Sequence, residues 1–327
     1  MVGSHTRISQ NLIGIDCLEC LVSGATGAEK LYSAIEESAR MVDAPFSRDK
    51  VWPTLSAFEG GFSDAGGVIL SLQAGTHVPE MEYSAQVSPG ISDPYARALA
   101  SGILTETDHP VSTVLAEIVS LAPTSEHYID CGIVGGFKKI YANFPHDQQT
   151  VAALAGLPSM PRAVGGNAEF FARHGLDRVA LIGVDYVNKT INLYFQVSAA
   201  TAGNLDQKTV SAMLHETGMS EPSDAMVAYA CQAYRIYTTL SWDAEEILRI
   251  AFAPKPRRGI DPADLPARLE PRIEKFLRAT PHKYPGALIN ATAAKWSPER
   301  EVLDLAAHYQ VSAVQMKAIE AEEGQAS

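Results

Sequence analysis

The chain has 327 residues, 46% of them hydrophobic and 20% charged, a balance that can bury a sizeable core. A formal net charge of −12 and the lack of any long Lys/Arg run speak against a nucleic-acid partner, which would be held by a basic face. No stretch of about 18 apolar residues is available to cross a membrane, and the N-terminus lacks the pattern of a secretory leader, so a cytoplasmic protein with no membrane partner is expected.

Four cysteines, at 17, 20, 131 and 231, do not make a disulfide framework and suit a reducing compartment. Cys17 and Cys20 form a lone C-x-x-C with no second Cys or His pair at zinc-finger spacing. They are read as thiols on a poorly ordered N-terminal extension, residues 1–26, ahead of one domain over 27–327. His174, His215 and His308 are scattered, and neither a G-x-S-x-G elbow nor a DDxxD-type aspartate cluster occurs, so no metal site and no Ser-His-Asp hydrolase is expected.

From residue 27 onward one order recurs: amphipathic helical stretches, then two alternating strand-like runs joined by a short turn. Helices are predicted over 27–42 and 48–58, then strands over 67–74 and 80–87. The second unit has helices over 94–101 and 111–121 and strands over 127–134 and 137–144, turning at Gly135-Gly136, a hairpin signal. The third has a helix over 162–174 and strands over 178–186 and 190–197; the fourth, helices over 206–216 and 223–229 and strands over 233–242 and 246–253. The fifth has a helix over 263–278, strands over 287–296 and 301–310, and a closing helix over 312–322, with 254–266 the one long loop. The expected fold class is therefore α+β: a ten-stranded antiparallel barrel of five helix–hairpin units, helices outside, its closure removing exposed edges.

Strand parity carries the functional reading, because alternate side chains face opposite sides of a sheet. Thr190, Asn192, Tyr194 and Gln196 share one face against Ile191, Leu193, Phe195 and Val197, and Glu82, Ser84 and Gln86 oppose Met81, Tyr83 and Ala85. In the last strand Asp304, His308 and Gln310 oppose Leu303, Leu305 and Tyr309. An ordinary sheet with its polar face in water would show the same alternation. In a barrel wrapped by helices, the polar face must instead line the lumen. Lys139 with Tyr141 and Asn143, Arg235 with Tyr237, and Arg249 interleave cations with phenols, which suits a phosphate site beside a cation-tolerant aromatic wall.

Several blocks in order resemble the bacterial aromatic prenyltransferases of the αββα (ABBA, or PT-barrel) family. They include Arg48-Asp-Lys-Val-Trp-Pro, Gly135-Gly-Phe-Lys-Lys-Ile-Tyr141, Pro158-Ser-Met-Pro161, the run 167–177, Asp185-Tyr186 with Ile191-Asn-Leu-Tyr-Phe195, and Tyr237-Thr-Thr-Leu-Ser-Trp-Asp243. The resemblance spans about Glu29 to Gln315 and implies transfer of an isoprenyl group from its diphosphate to an electron-rich aromatic small molecule, in a monomer. It places diphosphate binding at Lys139, Arg249, Tyr141, Asn192, Tyr194, Tyr237 and Ser71. Where the family has a lysine in the turn after the third unit's first strand, this chain has Asn188, with Lys189 adjacent to substitute. Another family phosphate lysine falls on Asp304, which would repel the ligand unless protonated or paired with Arg300 or Lys295. The aspartate that holds magnesium in the metal-dependent member falls on Glu82. No cofactor is expected beyond the co-substrate dimethylallyl diphosphate, and turnover is expected to be magnesium-independent.

Under this resemblance, fixed donors meet the charge on departing pyrophosphate, and the faces of Tyr141, Tyr194 and Tyr237 shield the allyl cation. Glu82 or pyrophosphate then takes the ring proton. The acceptor would be lined by Ile69, Ser84, Leu181, Tyr234, Arg235 and His308. Arg235 replaces a small serine-like residue and suits bidentate capture of a carboxylate, which ranks dihydrophenazine carboxylate first, a hydroxyphenylpyruvate-like acid second and a polyhydroxynaphthalene third. The alternative for Arg235 is a pair with a neighbouring Glu on the barrel wall; the alternative for the whole chain is a barrel that binds an aromatic or isoprenoid metabolite without changing it.

Overall fold

The computed structural model describes residues 26–326 apart from 60–61, 63–65, 76–79, 123, 125, 145, 199–200 and 202–203. Cys17 and Cys20 lie outside the described residues. In chain order the elements are α1 (Gly27–Met41), α2 (Arg48–Ala57), β1 (Val68–Ala74), β2 (Met81–Gln86), α3 (Pro94–Ala100), α4 (Val111–Leu121), β3 (Glu126–Gly132) and β4 (Gly136–Asn143). After a two-residue strand β5 (Gln149–Thr150) come α5 (Val151–Ala155), α6 (Arg162–Gly166), α7 (Ala168–Arg173), β6 (Arg178–Asp185) and β7 (Thr190–Gln196). Then follow α8 (Gln207–Glu216), α9 (Asp224–Ala230), β8 (Arg235–Ser241), β9 (Arg249–Ala253), the two-residue β10 (Arg257–Arg258), α10 (Pro271–Ala279), β11 (Ile289–Trp296), β12 (Glu301–Gln310) and α11 (Ala313–Ala326).

The long strands pair antiparallel in the order β1, β2, β3, β4, β6, β7, β8, β9, β11, β12, and β12 returns to β1, closing a ten-stranded barrel. The short β5 and β10 extend the sheet beside β6 and β11. The expected α+β barrel is the fold observed.

Departures from the sequence expectations are local and have local causes. The helix over 162–174 breaks into α6 and α7 at Gly165-Gly166-Asn167, where two residues of poor helix propensity meet. The helix over 263–278 begins only at Pro271, because Pro266 and Pro271 cannot donate within a helix and Pro271 suits its first turn. The strand over 246–253 shortens to Arg249–Ala253, since the Ser241 hydroxyl accepts from Asp243 and Ala244 N–H groups and turns the chain first. The loop over 254–266 contains β10 and a turn of 3₁₀ helix at Pro262–Asp264.

Burial separates the two faces of the barrel as the alternation predicts. Leu70, Leu72, Tyr83, Ile140, Ile182, Leu193, Ile236, Phe252 and Leu305 are buried and, by alternation, point outward under the helices. Each aliphatic or phenylalanine side chain among them stabilises the fold by roughly 1.5–3 kcal/mol. Helix α1 turns Ala28, Leu31, Ile35 and Ala39 toward this layer and starts on a capping box: Thr26 Oγ1 accepts from Glu29 N–H at 3.2 Å, and the Glu29 carboxylate accepts from Thr26 N–H at 2.8 Å. Polar clamps join helices to the wall, with the Tyr229 hydroxyl on α9 2.6 Å from that of Thr292 on β11. Asn290 Nδ2 donates to the Leu277 carbonyl at 3.2 Å.

Candidate functional site

The lumen is polar because the face left over from the apolar layer is polar. At one end, cations and carboxylates alternate from strand to strand. Asp130 on β3 stands opposite Lys139 on β4, and Lys139 opposite Asp185 on β6. The Lys139 ammonium lies 3.7 Å from each carboxylate, Ser84 donates to Asp130 at 2.8 Å, and the Tyr141 hydroxyl reaches Asp130 at 3.5 Å. Asp185 also accepts the Val187 and Asn188 N–H groups at 3.0 and 2.7 Å and the Asn188 side-chain amide at 2.9 Å, which shapes the β6–β7 turn.

The β3–β4 register shifts between Asp130 and Cys131, a bulge that turns consecutive lysines to the same side. Lys139 meets Asp130 and Asp185, while Lys138 forms an ion pair with Glu82 on β2. Burial would raise the Glu82 carboxyl, but Lys138, Lys139 and Lys295 outweigh it and hold it below its ordinary value. Asp130 moves the other way: burial and the Glu82 charge raise it despite Lys139. Burial opposes the Lys139 charge, yet Asp130 and Asp185 keep this lysine firmly protonated, its affinity for the proton raised. A cleft of about 470 Å³ opens at this end, lined by Glu82, Lys138, the Gly132–Phe137 turn and Asn188.

Deeper in the lumen, three phenols form a row. Tyr194 and Tyr237 are directly opposed across β7 and β8 and stack with ring centroids 4.6 Å apart; Tyr141 meets Tyr194 edge-on at 6.0 Å. Tyr141 reaches that partner across β6 only because Gly183 stands between them: a Cβ there would lie 2.6 Å from Tyr141 Cε1. Burial raises the acidities' midpoints of Tyr141 and Tyr237 well above the ordinary phenol value and that of Tyr194 above it, so all three remain hydrogen-bond donors at neutral pH. Asn192 Nδ2 donates to Thr239 Oγ1 at 2.8 Å, leaving its buried carbonyl oxygen unbonded. Arg249 stands opposite Thr239. The Asp304 carboxylate accepts from Lys295 at 2.5 Å and from the Tyr237 hydroxyl at 3.3 Å.

Toward the other end lie Arg235 and His308. Arg235 stands opposite Gln196 and Ala253, its guanidinium 5.3 Å from the Tyr234 ring centre; its buried Nε has no acceptor, and it makes no ion pair among the described residues. His308 is 4% exposed, neither ring nitrogen has a partner, and burial lowers its pKa to about 4, so it is neutral at pH 7.

A closed lumen with cations at one end, phenols in the middle and unpaired donors beyond them is built to hold an anion next to an aromatic wall. The sequence matches the family model described as Aromatic prenyltransferase Orf2 over residues 26–319. The chain belongs to this aromatic prenyltransferase family. It is 39% identical over 266 residues to flaviolin linalyltransferase of Streptomyces virginiae, covering 80% of this chain and 86% of that protein. To 5,10-dihydrophenazine-1-carboxylate 9-dimethylallyltransferase of Streptomyces anulatus it is 38% identical over 263 residues, covering 78% and 86%. To the furaquinocin biosynthesis prenyltransferase of Streptomyces sp. (strain KO-3988) it is 37% identical over 262 residues, covering 79% and 82%. The protein is thus an enzyme, an aromatic prenyltransferase.

In this prenyltransferase Lys139, Tyr141, Asn192, Tyr194, Tyr237, Arg249, Ser71, Glu82, Ser84, Ile69, Leu181, Arg235 and His308 all fall on the lumen parity of their strands. Two expected site residues do not join them. Lys189 is exposed in the β6–β7 turn with a positive φ of 51°, and Tyr234 lies on the outward parity just before β8, under the Arg235 guanidinium. Of the two cations offered for Asp304, the structure pairs it with Lys295. Sequence reasoning missed Asp130, Asp185, Lys138 and Gly183. The parity of Tyr128 would have flagged Asp130, and that of Leu181 would have flagged Gly183 and Asp185. Nothing in the alternation signals Lys138, because a bulge breaks the period.

Proposed function

We propose that this prenyltransferase moves a dimethylallyl or geranyl group from its diphosphate to a carbon of an electron-rich aromatic acceptor that carries a carboxylate, with dihydrophenazine carboxylate the first choice. One observation carries the choice of acceptor: Arg235 sits on the lumen parity without a carboxylate partner, its Nε buried and unbonded. A guanidinium in that state is costly unless a ligand supplies the acceptors, and a planar carboxylate matches its fork. The 38% identity to a protein named as acting on 5,10-dihydrophenazine-1-carboxylate agrees with this reading.

In the proposed reaction the allylic C–O bond breaks and pyrophosphate leaves with its electron pair. Lys139 and Arg249 meet that charge, helped by Asn192 and by the hydroxyls of Tyr141, Tyr194 and Tyr237. The faces of the three phenols each favour the allyl cation by about 0.5–2 kcal/mol. The closed wall excludes water, so the acceptor carbon takes the cation and then loses its proton. Glu82 is a weak base while Lys138 holds it, and pyrophosphate is the stronger one. His308, neutral and unbonded, can donate to or accept from a hydroxyl or ring N–H of the acceptor. Metal-independent turnover belongs to the same reading: the carboxylate of Glu82 is paired with the Lys138 ammonium.

The test is product formation followed by mass spectrometry. Dimethylallyl and geranyl diphosphate are each paired with dihydrophenazine carboxylate, hydroxyphenylpyruvate and dihydroxynaphthalene, in magnesium and in EDTA. A prenylated carboxylate formed in EDTA is expected. Arg235→Ala should raise the acceptor KM at least about tenfold and leave the diphosphate KM unchanged. An unchanged acceptor KM would overturn the choice of a carboxylated acceptor.

A further inference from the structure

The anion site described above is balanced charge for charge. Lys138, Lys139, Lys295 and Arg249 face it, and so do Glu82, Asp130, Asp185 and Asp304. Arg249 on β9 is one cation that can answer a prenyl diphosphate entering this end, and a second must be spared from a carboxylate partner. Lys139 cannot leave its partners: it is shared between Asp130 and Asp185 at 3.7 Å each, and it meets a phosphate only from where it stands. Neither can Lys295, which carries Asp304 at 2.5 Å. Lys138 differs in three ways. It has one carboxylate partner, Glu82; its side chain is 24% exposed where that of Lys139 is 15%; and both members of its pair line the cleft of about 470 Å³, which Lys139 does not. Its four-carbon stem starts at a bulge, so the ammonium can swing without disturbing the barrel hydrogen bonds.

Building on the diphosphate reading, the geometry points to Lys138 as a mobile cation that exchanges the Glu82 carboxylate for a phosphate oxygen when the prenyl diphosphate enters through the cleft. Glu82 is its resting partner. It keeps Lys138 at the mouth and satisfied while the site is empty, and it competes with the ligand for the ammonium. No covalent bond changes; one charge-assisted contact replaces another.

A double-mutant cycle read by calorimetric titration of the full chain with inorganic pyrophosphate tests the exchange. Lys138→Met should weaken binding about tenfold, the loss of one charge-assisted contact. Glu82→Gln should tighten it several-fold by releasing Lys138, and that gain should vanish in the Lys138→Met background, because there is no ammonium left to release. If Glu82→Gln tightens binding equally in both backgrounds, Glu82 acts only as a repelling charge and the exchange is overturned. Should Lys138→Met melt early, Lys138→Arg substitutes: it keeps the charge, and retained affinity supports the exchange while a loss matching Met opposes it. Failure of the unaltered protein to bind pyrophosphate at all would instead sink the diphosphate reading on which the exchange rests.

Discussion

At Gly183 a missing side chain decides where the Tyr141 ring lies. The Tyr141 ring occupies the space a Cβ would take, and this brings it edge-on to Tyr194. Gly183→Ala should therefore lower kcat/KM by about 100-fold, the effect of an ångström-scale misplacement, while the protein stays folded by circular dichroism. His308 offers a separable test, since its two ring nitrogens are buried and unbonded. His308→Phe should raise the acceptor KM without lowering the melting temperature, because removing an orphaned polar group is neutral or stabilising. Its titration gives a sign as well. The ordinary value is 6.5 and the folded value about 4, so between these the unfolded chain binds more protons and stability falls as pH drops through that window. Melting temperatures of the two proteins should diverge as the pH falls from 6.5 toward 4, with His308→Phe losing less. Much of this was legible beforehand: a period of two put Lys139, Tyr141, Asn192, Tyr194 and Tyr237 on one face. The unpaired state of His308 was not, because it depends on what the neighbouring strands fail to offer.

Among the elements, the strands position chemistry and the helices hold the strands. The hydroxyl pair between Tyr229 on α9 and Thr292 on β11, at 2.6 Å, lies on the outer side of the wall. Tyr229→Phe orphans the Thr292 hydroxyl and should cost about 1–3 kcal/mol in urea unfolding, with kinetic constants unchanged. A change in acceptor KM would mean that the outer layer communicates with the lumen. Helix and strand identities followed from periodicity, and the errors followed from punctuation. Pro266 and Pro271 delayed α10, and Gly165-Gly166 divided α6 from α7. The β4 bulge was the consequential miss. It adds Lys138 to the lumen, and only pairing with β3 reveals it.

Over the whole molecule, charge balance is assembled from strands far apart in sequence. Asp304 on β12 stands where the family resemblance leads one to expect a lysine, and Lys295 on β11 offsets it with a charge that joins the site only on folding. Lys295→Met leaves the Asp304 carboxylate to the Tyr237 hydroxyl alone, and the diphosphate KM should rise at least about tenfold, with the acceptor KM changed far less. Equal changes in both constants would point to collapse of the lumen rather than lost balance. What the sequence alone determined is the helix–hairpin order, the two-faced strands and the polar lumen they imply, since side-chain period is a local property of backbone geometry. Only the tertiary structure decided which lumen charges cancel, which donors stay unpaired and where the mouth opens. Ion pairs such as Lys139 with Asp185 and Lys138 with Glu82 join strands whose register and bulges are fixed by closure of the barrel, which no window of sequence contains.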